Sequence, residues 1–178
     1  MNRKIHCLLL PARRYAFTIV EILIVVIIIG ILAAIVLPGF TNATQITREG
    51  TLKDELKFMR TQVMIYSMHH DDVPAGYPGG DPSANATEAE FVAQMTLASD
   101  EFGDTAAVGT PGYDMGPYLR SIPANPLNGK STVQIVQFGD ALPAAGNDSH
   151  GWIYVPGDLE FLADSAGVDD AGEFYYEY

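Results

Sequence analysis

The most prominent feature of the hydropathy pattern is an apolar run from Phe17 to Leu37, in which Glu21 is the one charged residue. A helix of about 21 residues is roughly 31 Å long, which is the thickness of the hydrocarbon core of a bilayer. Ile, Val and Leu occur on every face of this helix, so it does not fit a helix that buries one face only. The pattern predicts a membrane-crossing helix over residues 17–40.

A second helical pattern follows the apolar run. Pro38 and Gly39 interrupt the first helix without necessarily ending it, since proline kinks are common in membrane-crossing helices. Beyond them, apolar residues recur at i, i+4, i+7, i+11 and i+14, with polar residues opposite. These residues are Leu52, Leu56, Met59, Val63 and Tyr66. The spacing predicts one long helix in two parts, a membrane half and an amphipathic half, which ends near 69–72 before Pro74.

Short apolar segments separated by turn residues occupy the rest of the chain. Thr87 to Glu90 reads as a capping box that opens a short helix. Residues 131–138 are rich in β-branched residues and predict a strand. Residues 152–155 and 159–162 flank Pro-Gly-Asp, which predicts a hairpin. The predicted fold is therefore α+β: a long N-terminal helix packed against a small antiparallel sheet of about three strands.

Charge is distributed very unevenly along the chain. Residues 1–16 contain four Lys or Arg and no acid, whereas residues 61–178 contain 18 of the 22 acids and two basic residues, a formal charge of −16. The excess of positive charge before the apolar run predicts a cytoplasmic N-terminus and an acidic domain on the other side of the membrane. An acidic domain of this kind repels nucleic acid, so no nucleic acid is expected as a direct partner.

Glu21 needs a partner if the apolar run enters a membrane or a protein bundle. If the chain were cut after Ala16, Phe17 would carry a new α-amine four residues before Glu21, one helical turn away. A buried cation and a buried anion neutralise each other, whether they lie in one chain or in neighbouring chains. The alternative is that Glu21 only reaches out to the lipid headgroups.

The N-terminal residues resemble a known leader. A basic segment, the small Ala16, the sequence Phe-Thr-Ile-Val-Glu from Phe17 and an apolar helix are similar to the prepilin leader of type IV pilins and type II secretion pseudopilins. The resemblance implies cleavage between Ala16 and Phe17, N-methylation of Phe17, and pairing of Glu21 with the amine of an adjacent subunit during filament assembly. Gly30 and Pro38 lie where this family has helix-loosening residues. Ala16 stands where Gly is usual, which predicts slower cleavage.

This resemblance implies a domain organisation and a function. Residues 1–16 are the leader, 17–40 the transmembrane and filament-core helix, and 41–178 a periplasmic pilin-like globular domain. The implied function is that of a non-enzymatic filament subunit on the bacterial inner membrane. The implied partners are identical and related subunits, a prepilin peptidase, an inner-membrane assembly platform and membrane lipid.

Cysteine content bears on which filament the subunit builds. The one cysteine, Cys7, lies in the leader, so the mature chain has no disulfide. Many type IV pilins have one, and its absence favours a type II secretion pseudopilin. The alternatives are a type IV pilus or competence (DNA-uptake) pilin and, from another class, a signal-anchored periplasmic enzyme or binding module. Ser149-His150 does not make a catalytic triad by adjacency alone.

The C-terminal tail is the stronger of two candidates for a metal site, the other being His69 to Asp72, which lacks the i, i+4 pair of a helical zinc site. Six carboxylates fall between residues 158 and 173 with no Lys or Arg among them. Calcium takes six to eight oxygen ligands, which acidic loops supply, and major pseudopilins carry calcium in a C-terminal loop. Asp164, Asp169 and Asp170 are the candidate ligands, and no other cofactor is expected. The alternative is solvated acidity that contributes solubility.

Overall fold

The computed structural model describes the backbone of residues 17–178 and the side chains of residues 17–35 and 43–178. The predicted leader, with Ala16 at its end, lies outside the described residues. The chain divides into two units, Met1–Ala43 and Thr44–Tyr178, and each is described by itself.

Helix α1 runs from Ile19 to His69. Its bounds include Pro38 and end where the sequence predicts, before Pro74. In the first unit the described side chains from Phe17 to Ile35 are all exposed, although nearly all are apolar. Within the described part of the chain, no helix combines the length and the hydropathy that a membrane crossing requires.

In the second unit, one stripe of α1 forms the centre of the hydrophobic core. The five side chains that the periodicity predicts to face inward are each no more than 1% exposed, which confirms the prediction. They are Leu52, Leu56, Met59, Val63 and Tyr66. Two aromatic side chains from the sheet, Trp152 and Phe161, belong to the same core and are fully buried. The amphipathic half of α1 is therefore the scaffold on which the second unit packs.

The main sheet has three strands in the order β3-β4-β5. Strand β3 is Val133–Ile135, β4 is Trp152–Val155 and β5 is Glu160–Ala163. Strands β4 and β5 form the predicted antiparallel hairpin. Strand β3, however, pairs with β4 in parallel, so the prediction of a wholly antiparallel sheet is wrong. The long connection 136–151 returns the chain to the starting end of the sheet, as a parallel pair requires.

Both faces of this sheet are covered. Trp152 and Tyr154 of β4 face the core with α1, whereas Ile153 and Val155 belong to a second apolar cluster, against which Tyr176 packs. All four residues of β4 are consequently buried. A central strand covered on both faces explains its continuous apolar sequence, Trp-Ile-Tyr-Val.

A second small layer contains helix α2, Glu88–Thr96, and a two-stranded antiparallel pair. Thr87 caps α2 as predicted, since its hydroxyl accepts a hydrogen bond from the backbone N–H of Glu90 at 3.2 Å. The backbone N–H of Thr87, however, donates to the Gly76 carbonyl at 2.9 Å, so the reciprocal half of the predicted capping box is not formed. The pair consists of β1, Ala98–Ser99, and β2, Thr105–Ala106, which the sequence did not reveal. Together these elements give the predicted α+β fold, with a long helix against a small sheet.

Candidate functional site

The residues of the predicted assembly site lie at the beginning of α1. Glu21 is in the first turn of the helix, and its Oε2 accepts hydrogen bonds from the backbone N–H of Thr18 at 2.8 Å and from the Thr18 hydroxyl at 2.9 Å. The Thr18 hydroxyl in turn accepts from the backbone N–H of Glu21 at 3.2 Å. This is a complete capping box. It holds the carboxylate at the helix N-terminus, next to Phe17.

Thr18 is a residue that sequence reasoning missed. The signal was present, because Thr-Ile-Val-Glu has the spacing of a capping box, the same spacing that identified Thr87 to Glu90. The box keeps the carboxylate near the residue that would carry the α-amine after cleavage. It also shows that Glu21 makes local hydrogen bonds without any partner chain.

The other predicted residues of this region are placed but not tested by the structure. Phe17 precedes the helix and is 79% exposed. Gly30 lies inside α1, and a Cβ built on it would meet nothing within 4 Å. Pro38 lies within the bounds of α1, and its side chain is outside the described residues, as Ala16 is. Cleavage, methylation and helix loosening stay predictions.

The exposed surface of the first unit is the main chemical feature of the site. Its bulky apolar side chains, among them Ile22, Val26 and Ile29, are each more than half exposed. A contiguous apolar surface of this size indicates contact with membrane lipid or with other protein chains. The acidic Glu21 at the start of the same surface can then pair with one cation in an environment without water.

In the tail, the carboxylate of Asp169 organises a turn. Its Oδ1 accepts hydrogen bonds from the backbone N–H groups of Ala171 and Glu173, at 2.8 and 2.9 Å, and its Oδ2 accepts one from the Tyr178 hydroxyl at 2.7 Å. The bond from Tyr178 and those from the two backbone groups stabilise the ionised form, so the pKa of Asp169 lies below its usual value. This carboxylate already has donors at both oxygens.

Asp164 has a separate set of partners. Although the side chain is buried, its oxygens accept from the backbone N–H groups of Asn147 and His150, each at 2.7 Å, and from the Ser149 hydroxyl at 2.9 Å. Burial by itself would raise the pKa of Asp164, but these hydrogen bonds outweigh it and the pKa lies below the usual value. Asp164 thus fastens the connection 136–151 to the end of β5.

The structure brings together three residues of the types found in a catalytic triad, but not in the geometry of one. They are Ser149, His150 and Asp164. The Ser149 hydroxyl lies 2.8 Å from Nδ1 of His150, and the same nitrogen lies 4.0 Å from Asp164. In a nucleophilic triad the two imidazole nitrogens have different partners, one the hydroxyl and the other the carboxylate. Here the Ser149 hydroxyl and the Asp164 carboxylate are both on the Nδ1 side of the His150 ring. The three residues therefore hold the loop in place and do not form a triad.

The structure does not bring the three candidate calcium ligands into one site. Asp164 and Asp169 bind different backbone segments, and Asp170 is exposed. Within the described residues, no three His, Cys, Asp or Glu side chains form a group that could hold a metal ion. Calcium binding by the tail stays a prediction.

The tail packs against α1 through contacts that the sequence did not suggest. Arg60 donates to the carbonyl oxygens of Phe161 and Tyr178, at 2.9 and 2.6 Å. The Lys53 ammonium lies 3.8 Å from the centre of the Tyr178 ring and 3.8 Å from the Glu173 carboxylate. These two cations of α1, Arg60 and Lys53, therefore have partners within the second unit.

The comparisons with known proteins concern the N-terminal region and a short stretch of sequence. Residues 11–37 match the family model of the prokaryotic N-terminal methylation motif. The competence protein ComGC of Halalkalibacterium halodurans is 36% identical over 58 residues, which cover 33% of this chain and 57% of ComGC. The chain thus matches little more than half the length of that relative. No solved structure matches. The matches confirm the prepilin-type motif and the resemblance to pilin-like proteins that the residues around Phe17 indicate.

Proposed function

We propose that this chain is a structural subunit of a pilus-like filament and that it performs no catalysis of its own. The observation that carries the proposal is the methylation motif over residues 11–37, in which a capping box holds Glu21 at the start of an exposed apolar helix. Such a surface needs lipid before assembly and neighbouring helices afterwards. The second unit, with its own core, then forms the outer layer of the filament.

The proposed assembly step depends on one charge pair. Removal of the leader before Phe17 by a prepilin peptidase gives an α-amine, which is then methylated. As a subunit moves from the lipid into the filament, its Phe17 amine pairs with the Glu21 carboxylate of the neighbouring subunit. The pairing is needed because either charge, buried alone, would be costly. Before assembly the subunit crosses the inner membrane once, with the acidic domain in the periplasm, and an assembly platform in that membrane delivers it.

Two filament systems fit this subunit. A type II secretion pseudopilus agrees with the lack of cysteine after residue 16. A competence filament agrees with the likeness to the competence protein ComGC. Neither assignment requires the acidic second unit to bind DNA, which its charge disfavours. Deleting the gene for this chain in its host distinguishes the two systems. If the chain is a secretion subunit, the deletion stops export of folded proteins and leaves transformation unchanged. If it is a competence subunit, the deletion stops transformation and leaves export unchanged.

Processing is the direct test of the proposed function. We expect the intact mass of membrane-extracted protein to correspond to residues 17–178 with one methyl group on the Phe17 amine. Deleting the host's prepilin peptidase should leave residues 1–16 attached and abolish filaments. Assembled material that still contains the leader would refute the proposal and favour a signal-anchored periplasmic protein.

A further inference from the structure

The C-terminal end of α1 borders a groove that is lined by carboxylates. The groove, with a volume of about 610 Å³, lies between the end of the helix and the turn that joins β1 to β2. Carboxylates of Asp71 and Glu101 line it, together with exposed Met68 and Phe102, which are 70% and 66% exposed. Among the described residues no Lys or Arg lines it. We call this surface the acidic groove.

Its surroundings increase the negative charge. A neighbouring hollow shares Glu101, Phe102 and Met115 with the groove and is also lined by Asp100 and Asp114. One of the two histidines that line the groove does not offset this charge at neutral pH. His70 is buried, and desolvation lowers its pKa, so that its ring is neutral. His69 binds the Tyr118 hydroxyl, 3.0 Å from Nδ1.

A ligand for this groove has to combine a cation with an apolar stem. The carboxylates attract the cation, the exposed Phe102 ring offers a face for a cation–π contact, and Met68 offers apolar surface to the stem. Lys and Arg side chains have this composition, whereas a metal ion would leave the two large apolar side chains uncovered. The groove therefore fits a basic side chain of a protein.

The same helix carries an exposed basic side chain, Lys57. Within the described residues it makes no ion pair. Lys57, Thr61, Met64 and Met68 are spaced at i, i+4, i+7 and i+11 and form one exposed stripe of α1. The cation lies at one end of this stripe and the acidic groove at the other.

Lys57 cannot reach the groove of its own chain. His69 lies twelve positions further along the helix, a distance of about 18 Å, which is far more than a four-carbon stem can span. Two complementary surfaces that are separated in this way on one molecule can meet only between copies. The contact is then head-to-tail, and a head-to-tail contact that does not close into a ring produces an open polymer.

We propose that the acidic groove of one copy receives Lys57 of a second copy, with the two α1 helices parallel and displaced by about 18 Å. This pairing rests on the proposed filament function and names the contact between its second units. Among the described residues, Lys53 and Arg60 have contacts within the second unit, whereas Lys57 makes no ion pair there, so its ammonium is free to bind a second copy. The charge pair lies near the filament surface, so salt should weaken it.

Cysteine cross-linking in cells that assemble the full chain tests the contact. After loss of the leader the chain has no cysteine, so any cross-link must come from the cysteines that are introduced. We expect a mixture of copies carrying Lys57→Cys and copies carrying Glu101→Cys to form covalent dimers with a short bis-maleimide cross-linker, at least tenfold more than either alone, because the ends of two long side chains meet at backbone distances too large for a disulfide. The double variant should give a ladder of multimers. The matched control pairs Lys57→Cys with Asp140→Cys, an exposed acid outside the groove, and should give no more dimer than single variants.

Charge reversal separates this contact from an effect on folding. Lys57→Glu and Glu101→Lys should each reduce filament yield at least tenfold, and a chain carrying both changes should recover to within twofold of wild type. Wild-type yields from both single variants, or a Glu101→Cys cross-link to a different protein in place of a second copy, would overturn the pairing. Failure of the wild-type chain to form filaments would instead refute the proposed function.

Discussion

The two units of the chain satisfy their apolar and polar groups in opposite ways. In residues 44–178 the inward stripe of α1, from Leu52 to Tyr66, packs in one core with the sheet, and even the buried carboxylate of Asp164 has three donors. In residues 17–35 the apolar side chains are exposed, and Glu21 has only its own capping box. The two units therefore differ in whether their own contacts bury their apolar side chains. The first unit needs lipid or other chains, and the second folds around its own core.

The largest effect should come from breaking the core of the second unit. Phe161→Ala removes a ring with 0% exposure that packs against Trp152, with 5.5 Å between ring centroids. We expect the free energy of unfolding to fall by about 3–5 kcal/mol. Trp152, the one tryptophan of the chain, reports the transition by fluorescence during urea titration in detergent.

Ile27→Ala is the matched control for that change, because Ile27 is apolar but 54% exposed in the first unit. It should leave the unfolding of residues 44–178 unchanged and reduce filament yield. Equal destabilisation by both substitutions would contradict the division between a self-sufficient unit and a dependent one.

The second effect concerns Glu21, whose two roles can be separated. Glu21→Gln keeps an oxygen that can accept from Thr18 but removes the charge, whereas Thr18→Val removes the hydroxyl of the capping box and keeps the charge. Leaving one partner of a buried ion pair alone typically costs about 3–5 kcal/mol. Loss of a helix cap costs about 1 kcal/mol. We expect normal cleavage in both variants and filament loss chiefly in Glu21→Gln, counted by electron microscopy of sheared material.

The opposite ranking would assign Glu21 a local role. If Thr18→Val abolished filaments and Glu21→Gln did not, the carboxylate would act through the capping box alone. Wild-type yields from both variants would mean that Glu21 neither pairs with the amine nor matters as a cap.

Sequence reasoning was most accurate where one periodicity decides the structure. The stripe from Leu52 to Tyr66 and the hairpin around Pro156 follow from spacing and turn residues. The direction of β3 does not, because alternation is the same in parallel and antiparallel strands. That direction depends on contacts distant in sequence. A Cβ on Gly151 would overlap the Lys130 carbonyl oxygen, so only glycine permits the close approach that sets β3 beside β4.

The candidate functional residues also differ in how far the sequence predicts them. Phe17 and Glu21 could be found because their chemistry lies within five consecutive residues, and the family model matches the segment that contains them. The tail carboxylates looked like one cluster because they are close in sequence. In space Asp164 binds the segment 147–150 and Asp169 closes a turn with Tyr178. Charge density along a chain does not tell which acids converge.

A smaller effect should follow from neutralising Asp164. In Asp164→Asn an amide NH₂ would face N–H and O–H donors that now point at a carboxylate, and unsatisfied buried groups cost about 1–3 kcal/mol. The folded pKa of Asp164 lies below the unfolded value, so its ionised form adds stability above about pH 4. This contribution is lost as the pH falls through the folded pKa. We expect the variant to be less stable at pH 7, with a weaker loss of stability on acidification, measured by urea titration at pH 3 to 7.

Asp170→Asn is the control for Asp164→Asn, since Asp170 is exposed and its substitution should change neither the stability at pH 7 nor the acid response. An acid response equal to that of wild type in Asp164→Asn would show that another carboxylate controls acid unfolding.

Calcium should produce the smallest effect of the four. The carboxylate of Asp169 already accepts from Ala171, Glu173 and Tyr178, so a calcium ion would have to replace good donors. A ligand that binds only the folded state stabilises it by about 2.7 kcal/mol at a hundredfold excess over Kd. We therefore expect millimolar calcium and magnesium to shift the unfolding midpoint equally, as screening of acidic surface would. A midpoint several degrees higher in calcium than in magnesium, abolished by Asp170→Asn, would instead show that the tail rearranges around calcium, since magnesium sheds its waters reluctantly. Asp170 is the residue for this test, because substituting Asp169 would also remove the turn and confuse loss of a ligand with loss of structure.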